Sequence, residues 1–416
     1  MVGFVALAAV TAALDRNTGV WLQSTRHALS TLAPPQQNQS MLRTVAPGML
    51  TLMTITFFLL LTLVHRMADV FTWVVVEQFL LHRVNQAFFG YFAGVSAYYV
   101  VVVAVVSPAQ AVFSTIVALV LGVLALVALV TFNYLVLDQL RPTSVVERVV
   151  QLTIATRANQ LKWLGRVRQE PLLEELPGAT VHAERSGYLV DIDLDLLGRA
   201  VASAAGAIEI ELCGGLGDHM VVGSPLAKVR TEVPADRELL ADAVLNALWC
   251  GRERQVNRDP SYGVHQLSSI GWASATQRDP EAALVTADGL HTLLAHWTSA
   301  NATACAPDRR AARLPIVYRD NIIAEVLSSL ANIAVGAAEG GQHQTCAQVL
   351  NVFAMALPQL SPDDQSIATA QVRHTVETVA RHPFTGELEQ AMAGLRRVLS
   401  DTDRPELADQ LPRAGS

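Results

Sequence analysis

The sequence predicts an α-helical transmembrane bundle of about four spans, the first one short, followed by a cytoplasmic α+β part. Residues 1–140 hold five Arg, no Lys and four acidic residues, whereas the rest of the 416-residue chain holds 25 basic and 33 acidic residues. Within the first third, long runs carry no charge at all, which is typical of helices surrounded by lipid. The uneven distribution of charge therefore places the membrane part at the front of the chain.

Three runs are free of charge and long enough to cross a bilayer. A helix rises about 1.5 Å per residue, so roughly 20 residues cover the hydrocarbon layer of about 30 Å. A buried helix of a soluble protein seldom stays uncharged over this length, and three such helices in succession are harder still to explain. The runs are Ala46–Val64, Ala87–Val106 and Ala111–Leu137, and the short link between the last two predicts an antiparallel hairpin.

The remaining apolar segments of the first third are less regular. Val2–Leu14 is too short to cross the bilayer fully, so it is either a short first span or a signal peptide, although no basic segment precedes it. Met67–Arg83 is apolar but interrupted by charges, which predicts an interfacial or packing helix. Glu77 within it lies either at the water boundary or inside the membrane as a functional carboxylate.

Basic residues near the helix ends predict the orientation, because basic loops are retained in the cytoplasm. After the last span, from Arg141 to Arg168, Arg and Lys outnumber the acidic residues. We therefore expect a multi-pass protein of the bacterial inner membrane with its C-terminal part in the cytoplasm. With four spans the N-terminus is cytoplasmic too, and it faces outward if the first run is not a span.

The pattern of the sequence divides the chain into five parts. Alternating apolar residues and turn glycines predict strands directly after a connecting helix, and apolar residues repeating at three and four predict helices further on. The parts are a transmembrane domain over 1–140, a connecting helix over 141–176, a small β-domain over 177–233, a helical cytoplasmic domain over 234–400 and a disordered tail over 401–416.

The predicted β-domain contains two recognisable patterns. Gly217–Leu226 resembles the hairpin of lipoyl-type barrel-sandwich domains, in which glycines occupy the turns. It has no exposed Lys at a hairpin tip, so we expect no covalent lipoyl or biotin group and no cofactor. Asp191, Asp193 and Asp195 alternate along a predicted strand, where they form either its outward face or a cation site.

The charged residues around two helix starts, which Asp259-Pro260 and Asp279-Pro280 predict, form the most site-like group in the sequence. Guanidinium groups beside a helix N-terminus suit a small anionic ligand. The same residues also suit a polar network of caps and salt bridges between helices. The candidate ligand-binding residues are Arg252, Arg254, Asp259, Tyr262, His265, Arg278 and Asp279, with Gln277 beside them.

The sequence shows no catalytic or metal-binding pattern. It contains no phosphate-binding loop, dinucleotide-binding glycine motif, nucleophile elbow or zinc-protease helix. Cys213, Cys250, Cys305 and Cys346 lie too far apart for a zinc site and are expected to be reduced thiols. The net charge of -7 argues against a nucleic-acid-binding protein. We therefore expect neither an enzyme, nor a metal, nor a nucleic-acid partner.

Several segments together make the chain resemble a bacterial family of predicted membrane proteins, known as domain of unknown function 2254. These segments are Phe71–Gln86, Ser186–Leu197, the hairpin that ends at Ala227, Gly251–Arg254 and Asp259–Leu267. The resemblance implies the topology and the order of the domains. It implies no activity.

Two functions fit these patterns. The first is an oligomeric, membrane-anchored regulatory or scaffolding protein whose cytoplasmic part binds a ligand or partner. The second is an oligomeric channel or transporter with a cytoplasmic vestibule, although its spans hold few ionisable residues. Its pore would use small and hydroxyl residues such as Thr54, Thr56, Ser96 and Ser114. Both hypotheses make the lipid bilayer and further copies of the chain its partners.

Overall fold

The structure, a computed structural model, describes most of the chain and divides it into two compact units, Met1–Arg141 (unit 1) and Pro142–Ser416 (unit 2). Glu77, Arg278, Cys305 and most of the predicted tail lie outside the described residues. The described residues are 2–16, 35–70, 83–105, 112–139, 141–255, 257–277, 279–304, 313–382, 385–402, 406 and 408.

The described part of unit 1 is helical. Three of its helices contain stretches long and apolar enough to cross a membrane, and these stretches, Arg43–Thr62, Gln86–Val105 and Phe113–Leu135, coincide with the three uncharged runs of the sequence. The first helix has 15 residues, which is shorter than a full span. The helices are α1 (Val2–Arg16), α2 (Pro35–Val70), α3 (Arg83–Val105) and α4 (Phe113–Gln139).

Helix α3 is the centre of unit 1, because α1, α2 and α4 all pack against it. Three tyrosine hydroxyls of α3 donate hydrogen bonds to carbonyl oxygens on one face of α4. In an apolar setting such bonds are favoured, because each phenol would otherwise lack a partner. The pairs are Tyr91 with Leu121 (3.2 Å), Tyr98 with Ser114 (3.1 Å) and Tyr99 with Ala118 (2.6 Å).

The end of α1 satisfies polar groups at the facing ends of α3 and α4. The buried carboxylate of Asp15 accepts hydrogen bonds from the backbone N–H groups of residues 112–114, at 2.9–3.2 Å. Those N–H groups belong to the first turn of α4, where no helical acceptor is available. Arg16 donates to the carbonyl oxygen of Val105 at the end of α3 (3.1 Å). The negative charge of Asp15 therefore complements the dipole of α4.

Unit 2 combines two small sheets with a larger set of helices. The strands are β1 (Gly178–His182), β2 (Gly187–Ile192), β3 (Ile208–Leu212), β4 (His219–Met220), β5 (Pro225–Thr231), β6 (Leu248–Gly251) and β7 (Ile316–Val317). The helices are α5 (Pro142–Leu164), α6 (Leu194–Ser203), α7 (Asp236–Ala247), α8 (Pro260–Thr276), α9 (Pro280–Ala304), α10 (Ile322–Glu339), α11 (His343–Ala356), α12 (Pro362–Val379) and α13 (Gly386–Asp401).

The two sheets draw strands from a wide span of the sequence. One has the order β1-β5-β3-β7, with β3 and β7 parallel and the other neighbours antiparallel, and the other has the order β4-β2-β6. Strands β6 and β7 follow residue 233 and so lie in the range predicted to be helical. Their apolar residues, including Leu248 and Ile316, help to fill the core between the sheets and α7.

Two details predicted for this region are wrong. The segment 217–226 does not form a hairpin, because β4 pairs with β2 while β5 pairs with β1 and β3, so the chain crosses between the sheets. The strand predicted through three aspartates ends at Ile192. There the side chain of Asp193 accepts hydrogen bonds from the N–H groups of Asp195 (3.0 Å) and Leu196 (2.8 Å) and begins α6. Aspartate is a preferred N-cap, and this local bond prevails over the alternation.

The three aspartates all have partners within the protein. Asp191 pairs with Arg258 (2.5 Å) and Asp195 pairs with Arg166 (2.6 Å), whereas Asp193 caps α6. Among the residues that the structure describes, no group of acidic, histidine or cysteine side chains is arranged to hold a metal ion. The observed contacts therefore account for these carboxylates as structural groups.

Helix α10 lies in the middle of the helical part of unit 2, against α8, α11 and α12. It is a fourth helix that is long and apolar enough to cross a membrane by composition. However, 67% of it is buried inside the unit, whereas the three stretches of unit 1 are buried by 17–39%. A helix that is apolar around most of its circumference must be covered, and here protein covers it.

A buried ion pair fixes α5 to the segment before α10. The guanidinium of Arg157, which is 1% exposed, donates to both carboxylate oxygens of Asp320, one of them at 3.0 Å. Its Cζ atom lies 5.8 Å from the ring centroid of the buried Trp297 on α9. Because a buried charge is costly without a partner, this contact specifies how the three elements meet.

Candidate functional site

Three segments of unit 2 meet at the N-terminus of α8. They are the turn 214–218 between β3 and β4, the residues that lead from β6 into α8, and the first turn of α10. We refer to the side chains and the glycine that meet there as the α8 cluster. It consists of Gly217, Asp218, Arg254, Asp259, Ser261, Tyr262, His265 and Glu325.

Asp259 is the centre of the α8 cluster. Its carboxylate accepts a hydrogen bond from the backbone N–H of Tyr262 (3.1 Å) and so caps α8, with Pro260 in the first helical position. This agrees with the helix start predicted from the Asp-Pro pair. The same carboxylate is only 2% exposed. Its Oδ2 atom accepts a hydrogen bond from Nε of Arg254 and forms an ion pair with Nη2, both at 2.8 Å.

Arg254 lies between the carboxylate and a pair of stacked rings. Its Cζ atom is 4.9 Å from the ring centroid of Tyr262, which is within the range of a cation–π contact. The Tyr262 ring in turn stacks on His265, with 6.5 Å between centroids and 18° between planes. The guanidinium is therefore neutralised on one side and covered by an aromatic face on the other.

Gly217 allows the turn between β3 and β4 to approach this pair. Its φ is +89°, and a Cβ atom there would lie 2.2 Å from Oδ2 of Asp259 and 2.4 Å from Nη2 of Arg254. Any side chain would displace those atoms, and the positive φ is itself unfavourable for residues other than glycine. The sequence predicted a turn glycine at this position without indicating what the turn would contact.

Several titratable groups of the α8 cluster have shifted pKa values. Burial raises the pKa of Asp259, an effect that the Arg254 guanidinium opposes. Partial desolvation raises the pKa of Glu325, and the carboxylates of Asp259 and Asp218 raise it further, whereas Ser261 and Arg254 oppose the shift. Burial and the charge of Arg254 both lower the pKa of His265. Glu325 and His265 nevertheless keep exposed surface, so water and solutes have access to them.

The structure separates the predicted site residues into two groups. Arg254, Asp259, Tyr262 and His265 lie together, whereas Arg252 is exposed and bonds to none of the residues that the structure describes. Asp279 lies beyond the opposite end of α8, where it accepts a hydrogen bond from the N–H of Ala282 (3.2 Å) at the start of α9.

The length of α8 sets the distance between these groups. The helix has 17 residues, which corresponds to about 25 Å. Arg278 lies outside the described residues. Sequence reasoning missed Asp218 and Glu325, because only the fold brings positions 218 and 325 next to α8.

The hydroxyl residues proposed to line a pore differ in their hydrogen bonding. Thr54 and Thr56 donate to carbonyl oxygens one turn earlier in α2, at 2.9 and 2.8 Å. Ser96 and Ser114 are buried, and their hydroxyl oxygens have no hydrogen-bond partner within the part of the chain that the structure describes. Among the buried side chains that the structure describes in unit 1, the two serines are therefore the ones whose polar groups the packing leaves unsatisfied.

No curated protein and no solved structure matches this chain. A family model described as "Predicted membrane protein (DUF2254)" matches residues 1–354, a range that contains unit 1, both sheets and the α8 cluster. This match confirms the resemblance found in the sequence motifs. The chain therefore belongs to the DUF2254 family of predicted membrane proteins.

Proposed function

We propose that this protein is a membrane-anchored binding protein with a regulatory or scaffolding role. Unit 1 anchors the chain, and the α8 cluster of unit 2 binds a small ligand or a segment of a partner. The observation that best supports this proposal is the grouping of Asp259, Tyr262, His265 and Glu325, whose pKa values are all shifted, where three chain segments meet. Shifted pKa values concentrate at functional sites.

The charges of the α8 cluster favour a ligand that carries a basic group. Asp259 already neutralises Arg254, and Asp218 and Glu325 add two further carboxylates. The sequence suggested a small anionic ligand, but an anion would meet an excess of negative charge here. An ammonium or guanidinium group would instead pair with Glu325, and the exposed His265 ring of the same cluster could provide an aromatic contact.

Thermal unfolding of the full chain in detergent tests this proposal with spermidine, arginine and phosphate as probes at constant ionic strength. We expect spermidine or arginine to raise the melting temperature, because a ligand that binds only the folded state stabilises it. Glu325→Gln should abolish the shift, whereas Glu339→Gln at the far end of α10 should keep it. A shift produced by phosphate alone, or one that survives Glu325→Gln, would refute a basic ligand at this cluster.

We also propose that unit 2 lies in the cytoplasm and that the protein resides in the inner membrane. The basic excess directly after the last apolar stretch supports this orientation. Cys213 is exposed and can report it. In a variant that keeps Cys213 as its single cysteine, a membrane-impermeant maleimide should label the protein only after the inner membrane is permeabilised. Labelling while the inner membrane is intact would place unit 2 outside.

An oligomeric channel is the second candidate, and the unsatisfied hydroxyl groups of Ser96 and Ser114 favour it. Buried hydroxyl groups without partners are costly in a membrane unless water reaches them. Purified protein in liposomes should then pass ions, and Ser96→Ala or Ser114→Ala should change the flux. Liposomes that stay ion-tight at high protein density would leave the binding protein as the better proposal.

A further inference from the structure

An apolar groove runs along unit 1 between α3 and α4. It has a volume of about 590 Å³, which is within the range of ligand pockets. The two hydroxyl groups of the wall are already bonded, because the Tyr91 hydroxyl donates to the carbonyl oxygen of Leu121 and the Thr131 hydroxyl to that of Val127. The wall includes Ala87, Phe88 and Tyr91 of α3 and Leu124, Val127 and Thr131 of α4.

One basic side chain stands at the end of this groove. Arg83 is the first residue of α3, lines the groove and is exposed. It forms no hydrogen bond or ion pair with any residue that the structure describes. The apolar stretch of α3 begins at Gln86, so Arg83 precedes it by about 4–5 Å. That position corresponds to the depth of the lipid head groups.

The dimensions of the groove match one leaflet of a bilayer. Along α3 it extends from Arg83 to Tyr91, which corresponds to about 12 Å. One leaflet contributes about half of the hydrocarbon thickness of roughly 30 Å. A ligand that lies in the groove therefore has its charged end beside Arg83 and an apolar tail that reaches most of the way to the midplane.

We infer that this groove binds an anionic phospholipid, with the phosphate paired to Arg83 and an acyl chain along the wall. A guanidinium forms two parallel hydrogen bonds with a phosphate. At the depth of the head groups, a lipid phosphate supplies the negative charge that complements the exposed side chain of Arg83.

Unit 1 offers matched controls for the basic residue and for the apolar wall of the proposed site. A second apolar groove of about 430 Å³ lies between α2 and α4 and is lined by residues that include Met49 and Leu119, but by no basic residue. Arg43 on α2 is exposed like Arg83 and lines neither groove. Substitutions in the second groove and at Arg43 therefore change size or charge without touching the proposed site.

Native mass spectrometry of the full chain in detergent, with dioleoyl phosphatidylglycerol or phosphatidylcholine added, tests the inference. We expect phosphatidylglycerol to bind about fivefold more tightly than phosphatidylcholine. One basic residue near an anionic lipid head group contributes a binding free energy of this size. Arg83→Gln should remove this preference and Arg83→Lys should keep it. Val127→Trp should fill the groove and weaken both lipids, whereas Arg43→Gln and Leu119→Trp should change neither.

Three outcomes would overturn the inference. The first is an Arg83→Gln protein that still prefers phosphatidylglycerol. The second is a loss of lipid binding in Leu119→Trp equal to that in Val127→Trp, because this would mean that binding is not specific to the groove. The third is a Val127→Trp protein that changes its oligomeric state and keeps its lipid, because a second copy would then occupy the groove. Melting temperatures of the variants in detergent show that each is folded.

Discussion

Gly217 lies so close to Asp259 that a Cβ atom on residue 217 would be 2.2 Å from the Oδ2 atom of the aspartate. The turn between β3 and β4 thus rests directly on the ion pair that begins α8. This contact ties the sheets of unit 2 to its helices at the α8 cluster. It also makes the cluster sensitive to a single added methyl group.

Gly217→Ala should destabilise unit 2 more than Gly223→Ala. Both glycines have a positive φ, +89° and +85°, so both substitutions incur about 1 kcal/mol of backbone strain. Only at residue 217 does the new methyl group collide with other atoms, since nothing lies within 4 Å of the position at Gly223. We expect a further loss of about 1–3 kcal/mol, measured by thermal unfolding in detergent. Equal losses for the two variants would contradict the contact.

The stability of unit 2 should depend on the proton of Glu325. Because the folded chain raises the pKa of this carboxyl above the ordinary 4.5, it binds the proton more tightly than the unfolded chain does. The contribution of Glu325 to stability is therefore greatest below pH 4.5 and decreases as the pH rises through the raised value. In Glu325→Gln this decrease disappears, so the melting temperature of the variant relative to the natural protein should rise with pH across that window.

Two controls separate this effect from other titrations. Glu339→Gln on the same helix removes a carboxylate outside the α8 cluster, so it shows how much of any difference comes from the change in net charge alone. The lowered pKa of His265 has the opposite sign, because the unfolded chain binds that proton more tightly and stability falls as the pH drops below 6.5. If the difference for Glu325→Gln instead decreased as the pH rose, the assigned shift would have the wrong direction.

Arg157→Met should be strongly destabilising, because it leaves the carboxylate of Asp320, 9% exposed, without its cation. The loss of one partner of a buried ion pair costs about 3–5 kcal/mol. Arg166→Ala provides the comparison, since its ion pair with Asp195 is exposed and such pairs contribute little. Chemical unfolding in detergent measures both. Similar small effects in the two variants would mean that water reaches Arg157.

Asp15→Ala should destabilise the first turn of α4 in unit 1. The substitution removes the acceptor for the N–H groups of residues 112–114, and the loss of a helix cap costs about 0.5–2 kcal/mol, with more expected where water is excluded. Thr54→Ala removes a hydroxyl that bonds only within its own helix, so it should be nearly neutral. Hydrogen exchange at residues 112–114 reports the change directly, and unchanged protection would rule out capping by Asp15.

Part of the candidate site could be predicted from the sequence. Asp259-Pro260 identified a helix start, and Arg254, Tyr262 and His265 lie near it along the chain, so their proximity follows from local spacing. Asp279 is also near these residues in the sequence. However, the intervening residues form the single helix α8, whose length places Asp279 about 25 Å away. The sequence pattern predicts where a helix starts better than where it ends. The residues at the two ends of α8 therefore appeared to form one site.

The sequence by itself determined the membrane unit, because the absence of charge over a full span is a local property that lipid selects in each helix separately. It also determined the helix starts at Pro260 and Pro280, through the Asp-Pro pairs there. Only the tertiary structure decided that β7 joins β3, that Asp15 caps α4 and that Glu325 faces Arg254. Those contacts join residues about 70 to 105 positions apart in the sequence. At such separations the geometry and burial of the fold select the partner, and local sequence preferences do not.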